Sequence, residues 1–159
     1  MILSTLCYVQ RSGQYLMLHR VKKKQDMNQE KWIGIGGKLE PGESPEDCLL
    51  REAQEETGLT LTDYRFRGVV TFVSDRWGTE YMFLYTATGF TGEMKVCDEG
   101  NLEWVEFDKI PSLPLWQGDH IFLRLLREDA PFFSLKLVYQ GETLVHAALD
   151  GKELSCESW

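Results

Sequence analysis

The sequence predicts an α/β fold of the sandwich type, an α/β/α arrangement with a mixed β-sheet between two helices and hairpins on both flanks. Three observations lead there. Between Ser44 and Gly58 a complete set of helix start and stop signals frames one helix. Residues 64–74 and 80–90 form two alternating, aromatic-rich runs on either side of a Gly-containing turn. Apolar residues recur at helical spacing at Ile121, Phe122, Leu125 and Leu126. With 159 residues, 43% of them apolar, and 8 Phe, 6 Tyr and 5 Trp, the chain is the size of a single domain over 1–159 with a substantial core.

Taken in order, residues 2–10 are apolar and β-branched enough for a strand. Arg11-Ser12-Gly13 reads as a turn, and residues 14–20 as the hairpin partner. Val21 opens a polar loop that runs to Lys31; its lysine run (Lys22, Lys23, Lys24) is either a solvated loop or a lure for a triphosphate. Arg20, at the end of the strand beside this loop, is the candidate single phosphate contact. Residues 32–35 form a short strand feeding Gly36-Gly37, a pair that lets backbone pack close to a ligand or simply turn. Ser44 suits the N-cap, Pro45 the first helical position, Asp47 the capping box and Gly58 the left-handed stop, so a helix spans 45–57. The long hairpin 64–74/80–90 follows, then a charged loop over 89–101, a strictly alternating strand at 102–107, and a second helix from Asp119. Residues 132–139 and 143–149 pair across Gln140-Gly141-Glu142, and the last ten residues are expected to be loose.

The first helix carries the chemistry. At about 100° per residue, Glu52, Glu55 and Glu56 share one arc as i, i+3 and i+4 neighbours, next to the apolar stripe of Leu49, Leu50 and Ala53. Glu52 and Glu56 repel, and no Lys or Arg follows at a compensating position. A solvated acidic face is one reading. The other is a cation among them, because carboxylates crowded at a core edge are costly unless neutralised. Oxygen donors with no His/Cys cluster suit Mg²⁺ or Mn²⁺ rather than zinc. Arg51 is expected to point away from the acidic stripe.

Composition excludes other classes. A net charge of −8 argues against a nucleic-acid polymer as partner and leaves room for a small anionic substrate that arrives with cations. Cys7, Cys48, Cys97 and Cys156 have no ligand spacing and read as reduced thiols of a cytoplasmic protein. No signal peptide or membrane span is expected. His19, His120 and His146 are isolated, each structural or exposed, and the methionines suggest no cofactor box.

Gly37, Glu43, Arg51, Glu52, Glu55, Glu56 and Gly58, followed by Leu59, fill the fixed positions of the Nudix box over residues 37–59. Ala53 stands where a large aliphatic residue is usual. The chain thus resembles the MutT-like pyrophosphohydrolases. That resemblance implies the sandwich fold and a Mg²⁺ (or Mn²⁺) site held by Glu52, Glu55, Glu56 and the Gly36 carbonyl, with Glu56 as the central ligand. It implies a further metal-binding or base carboxylate at Glu99, the alternative there being a solvated loop acid. It also implies a structural ion pair between Arg51 and Glu43.

Beyond the box, the chain is similar to the mammalian-type 8-oxo-dGTP diphosphatases. The shared features are the Trp32-to-Lys38 lead-in with its three glycines, the Asp108-Lys109-Ile110-Pro111 segment followed by Trp116 and Asp119, and a Phe-containing C-terminal hairpin with a Gln-Gly turn. The resemblance implies that Trp116 stacks on a purine, that Asp119 reads its edge, and that Ile33 and Lys38 line the substrate site; the alternatives are a core Trp116 and a helix-capping Asp119. Ile33 stands where that family has Asn, and Gly118 where it has an acid. The expected function is a Mg²⁺-dependent nucleoside triphosphate diphosphatase releasing a monophosphate and pyrophosphate, with 8-oxo-dGTP as substrate. Another nucleoside-diphosphate-linked compound or an unmodified triphosphate is the alternative within the enzymes, and a non-catalytic nucleotide-binding module the alternative outside them.

Overall fold

The computed structural model describes residues 1–22 and 26–159; Lys23 and Lys24 of the basic run lie outside the described residues. In chain order the elements are β1 (Ile2–Arg11), β2 (Gln14–His19), β3 (Trp32–Ile33), α1 (Pro45–Thr57), β4 (Thr60–Ser74), β5 (Gly78–Thr91), β6 (Asn101–Glu106), a 3₁₀ turn (Phe107–Ser112), α2 (Asp119–Arg127), β7 (Phe133–Gln140), β8 (Thr143–Leu149) and β9 (Lys152–Leu154). The principal sheet runs β1-β5-β4-β7-β8-β9. It is mixed: β1 with β5 and β4 with β7 are parallel, the other pairs antiparallel. The β1–β2 hairpin leads into a smaller antiparallel sheet in which β2 lies between β3 and β6.

Period-2 alternation along β1 sorts the core into two halves. Leu6 and Tyr8 face one way and cluster with Ile121, Phe122 and Leu126 of α2. Cys7 and Val9 face the other way and cluster with Leu49 and Ala53 of α1. The sheet is therefore covered by a helix on each face, and the α/β/α sandwich expected from the sequence is the observed fold.

Helix α1 has the expected bounds because its ends are chemically specified. Ser44 and Asp47 exchange side-chain and backbone hydrogen bonds in a capping box, and Gly58 at φ 78° returns its N–H to the Gln54 carbonyl. Strand β4 begins four residues before the expected start, and its register shifts between Leu61 and Tyr64 and again between Phe66 and Gly68. Bulges break the alternation on which a sequence reading depends. The expected strand over 32–35 stops at Ile33. Beyond it the chain makes single bridges, Ile35 to Cys7 and Lys38 to Ser4.

The C-terminus is not loose. Asp150 (φ 50°) and Gly151 (φ 81°) make a tight turn, β9 pairs with β8, and Trp159 packs against the core. The Asp-Gly dipeptide is the hairpin signal that was there to be read. Among the described residues no helix is long and apolar enough to cross a membrane. All four cysteines are free thiols, three of them buried.

Candidate active site

The site begins with a loop pressed between β1 and α1. Thr5 N–H bonds the Gly37 carbonyl at 2.9 Å, and Leu39 N–H bonds the Leu3 carbonyl at 2.9 Å. A Cβ on Gly36 would stand 2.0 Å from the Thr5 carbonyl oxygen, and one on Gly37 2.5 Å from the Glu52 carboxylate. Only glycine lets backbone come this close to a strand on one side and an acid on the other. The Gly36 N–H then points at α1 and donates to Glu56 Oε1 at 2.7 Å.

Glu56 is 5% exposed, and its Oε2 is buried with no hydrogen-bond partner among the described residues. Burial raises its pKa, and the neighbouring charges of Glu99 and Glu52 raise it further, against the Gly36 N–H. Glu52 is also raised, chiefly by burial, with Arg51 opposing. Glu99, in the loop between β5 and β6, accepts from Arg20 Nη1 at 2.9 Å. Glu55 stands beside Glu52: the Arg51 Nη1 that holds Glu52 at 2.8 Å also reaches Glu55, and the Glu55 charge adds to the rise in the Glu52 pKa. The Glu55 side chain is exposed and meets Arg51 at 3.2 Å.

Arg51 does not point away from the acids as expected. Its guanidinium grips Glu43 with two hydrogen bonds (2.7 and 2.9 Å), and also reaches Glu52 (2.8 Å), Glu55 and the Lys38 carbonyl (3.0 Å). A helical wheel places only the Cβ; a five-donor planar fork on a long stem can turn back along its own helix. Arg51 holds the Glu43 carboxyl down at about pKa 2. The expected Arg51–Glu43 pair is thus present, and it is one arm of a larger clamp.

Among the described residues no three His, Cys, Asp or Glu side chains converge on a single point. The donors nonetheless fit a hard cation. Oxygen is the only donor element, one carboxylate oxygen is buried and orphaned, and three acids raise or are raised by one another. Glu52, Glu55, Glu56, Glu99 and the Gly36 carbonyl are the oxygen donors that could hold it.

These acids stand at a cleft of about 710 Å³. Arg20, Gly36, Gly37, Lys38, Glu52 and Glu99 line it; Glu56 lies beneath Gly36 rather than in the wall. The same cleft is also lined by Ile33, Phe72, Met82, Trp77, Trp116 and Asp119, with the Phe72 and Trp116 rings meeting edge-on. All five substrate residues expected from the sequence therefore line one cleft. Arg20 is not presented as a bare cation, since its Nε donates to Asp26 at 2.7 Å while Nη1 holds Glu99.

Trp116 is buried against Phe72 and Tyr139, both edge-on, with Lys31 Nζ 4.9 Å from its ring centre and its Nε1–H donating to Asn28 at 2.8 Å. Asp119 is buried and does not cap its helix: Gly118 holds the cap position, and no side chain caps it. Burial pushes the Asp119 carboxyl up to about pKa 8, against the pull of Lys31, so at neutral pH it holds its proton and can donate a hydrogen bond into the cleft. Gly118 donates to the Tyr139 hydroxyl at 2.7 Å, and a Cβ there would meet Leu137 and Tyr139 at 2.6 and 2.7 Å. This chain has no room for an acid at that position.

The chain matches the model of the NUDIX domain over residues 2–126. The chain belongs to the Nudix family. Proteins similar to this chain include an oxidized purine nucleoside triphosphate hydrolase from Danio rerio, 30% identical over 155 residues that cover 95% of this chain and 96% of the fish protein. YvcI of Bacillus subtilis, a Nudix hydrolase, is 33% identical over 120 residues, 72% of each chain. A MutT protein crystal structure from Bacillus halodurans superposes with a TM-score of 0.84 at 28% identity, covering 96% of this chain and 99% of that one. This Nudix chain is accordingly a hydrolase.

Sequence reasoning missed several Nudix cleft residues. Asp26 and Asn28 carry no periodicity, and Phe72, Met82 and Glu80 are ordinary strand residues until the β4–β5 register aims them at the cleft. The Asp-x-Asn spacing before Trp32 was the one local signal available for the first pair.

Proposed function

We propose that this Nudix hydrolase is a divalent-cation-dependent nucleoside triphosphate diphosphatase that prefers oxidised purine nucleotides such as 8-oxo-dGTP. One observation carries the reading: a single cleft is lined both by the crowded carboxylates and by the Trp116 and Phe72 rings beside the buried Asp119 carboxyl. The similarity to the fish hydrolase, whose name specifies oxidized purine triphosphates, supports the substrate class.

A bound Mg²⁺ or Mn²⁺ would supply charge neutralisation on the phosphates and acidify the attacking water. Glu52, Glu55, Glu56 and the Gly36 carbonyl would hold it. Arg51 keeps Glu52 and the 36–38 loop in register, and Glu43 keeps Arg51 in place. Glu99 takes the proton of a water whose oxygen bonds to phosphorus as the bridging P–O bond breaks, giving the monophosphate and pyrophosphate. Lys38 and Arg20 balance charge on the chain of phosphates. The purine lies against Trp116, and Asp119 donates to an acceptor on its edge; a base without that acceptor leaves a buried donor unpaired.

Ile33 favours a second reading, a different nucleoside-diphosphate-linked substrate, because it puts an apolar side chain in the cleft wall where the resemblance has Asn. The deciding experiment is a turnover panel with Mg²⁺ that measures pyrophosphate and orthophosphate separately. Pyrophosphate release with at least tenfold higher kcat/KM on 8-oxo-dGTP than on dGTP is the expected result. Equal rates remove the sanitising role, and unchanged activity in excess chelator removes the cation.

A further inference from the structure

A line of hydrogen bonds links two residues of the cleft wall, Glu99 and Trp116. Arg20 Nη1 donates to Glu99 Oε2 at 2.9 Å, and Arg20 Nε to Asp26 Oδ2 at 2.7 Å. The other oxygen of Asp26 accepts from the Asn28 backbone N–H at 3.2 Å, an Asx-type turn. Asn28 Oδ1 in turn accepts from Trp116 Nε1 at 2.8 Å. The end links join segments 79 and 88 residues apart in the chain. The stretch from Asp26 to Asn28 belongs to no strand or helix; turn hydrogen bonds from Gln29 and Lys31 N–H to the Asp26 and Asn28 carbonyls shape it, and these side chains tie it to Glu99 and Trp116. Arg20 and Asp26 are well shielded, with side chains 12% and 10% exposed. A brace runs beside the line: Lys31 lies over the Trp116 ring and pairs with Glu142 at 2.7 Å.

We propose that Asn28 and Asp26 are positioning residues that hold the Trp116 indole at one spacing from the acid cluster. Neither touches the reacting atoms. Trp116 sits on the loop before α2, and Glu99 on the loop after β5. Backbone elements alone leave the distance between two such loops soft. A purine that is displaced at Trp116 carries its phosphates out of line with Glu56 and Glu99, and small misplacements of a reacting group are expensive in rate. Asn28 Oδ1 accepts the indole proton, and Asp26 fixes Asn28 and the Arg20 guanidinium together. This inference rests on the reading of the cleft as a nucleotide site.

The test uses the full chain with Asn28→Ala, Asn28→Asp and Asp26→Ala. Trp116 Nε1–H is followed by ¹⁵N–¹H NMR, with Trp116→Phe to identify its signal among the five indoles. In Asn28→Ala and Asp26→Ala the signal shifts and exchanges faster with solvent; in Asn28→Asp, which keeps an acceptor oxygen, it returns toward its wild-type position. In kinetics, Asn28→Ala raises KM for 8-oxo-dGTP about five- to tenfold, the factor for one lost hydrogen bond of about 1 kcal/mol. Its effect on deoxyribose 5-triphosphate, which has no base, is smaller by that factor, and Asn28→Asp recovers most of the loss. An indole signal unmoved by Asn28→Ala or by Asp26→Ala overturns the proposal, and so does an equal loss on both substrates. A wild-type chain that turns over neither triphosphate defeats the functional reading itself. One that turns over the nucleotide while Asn28→Ala matches it defeats this proposal alone.

Discussion

Replacing Glu56 by Gln makes the chain without cation more stable while abolishing its use. Gln keeps the Oε1 acceptor for the Gly36 N–H and puts an amide N–H₂ in place of the buried Oε2 that has no partner among the described residues. That amide can donate toward Glu99, whose carboxylate lies beside Glu56. At pH 7 the wild-type carboxyl must either stay charged in a buried place or take up a proton that the unfolded chain does not bind, and Gln does neither. One hydrogen bond to a charged group is worth about 1.5–3 kcal/mol, so a gain on the order of 2 kcal/mol is expected, or about 4–8 °C in Tm for a chain of this size. The sign of the pH dependence follows from the raised native pKa. Wild-type stability is lost as pH rises above the unfolded value near 4.5, whereas the variant has no such loss, so the gap widens from pH 5 to pH 8. Added Mg²⁺ at about a hundred times its Kd raises wild-type stability by about 2.7 kcal/mol and leaves the variant little changed, while turnover falls at least about a hundredfold. The assay is thermal unfolding in EDTA and in millimolar Mg²⁺ or Mn²⁺, paired with pyrophosphate release. A variant that melts at or below the wild type in EDTA would refute the reasoning, as would a wild type whose melting ignores both cations.

Three further outcomes follow from the same geometry. Asp119, with its carboxyl at about pKa 8, withdraws stability as pH rises from about 4 to about 8, at most about 6 kcal/mol; Asp119→Asn flattens that slope in urea unfolding at pH 5 and pH 8. Gly36→Ala drives a Cβ to 2.0 Å from backbone at Thr5 and costs more than about 3 kcal/mol, whereas Gly37→Ala displaces only the tip of the Glu52 side chain, so chemical denaturation shows a change under about 1 kcal/mol beside a turnover loss of about tenfold or more. The Glu43 carboxyl titrates near pH 2 in wild type and returns to the ordinary carboxylate range in Arg51→Ala, as read by ¹³C NMR; an unshifted Glu43 in wild type would show that the clamp does not form in solution.

Helix α1 and the sandwich were legible in the residues themselves. Caps, period and glycine stops are local properties, and the Nudix box is a local pattern. The sequence could count the acids but not rank them. Glu52, Glu55 and Glu56 share one helical arc, yet Glu56 is buried under Gly36, Glu52 lies against Gly37 and Glu55 is exposed, because rank depends on which loop is pressed onto which turn of the helix. Arg51 was misplaced for the same reason that long charged side chains always are: their tips answer to partners distant in sequence. The bulged start of β4 and the β9 hairpin escaped because bulges erase alternation and a three-residue strand is too short to show one. Residue chemistry by itself determined that this chain gathers carboxylates, folds as a sandwich and carries an aromatic-acid pair near its second helix. Only the tertiary structure decided that these features share one cleft, since burial, register and the hydrogen bonds from Glu99 to Trp116 join segments that no local rule connects.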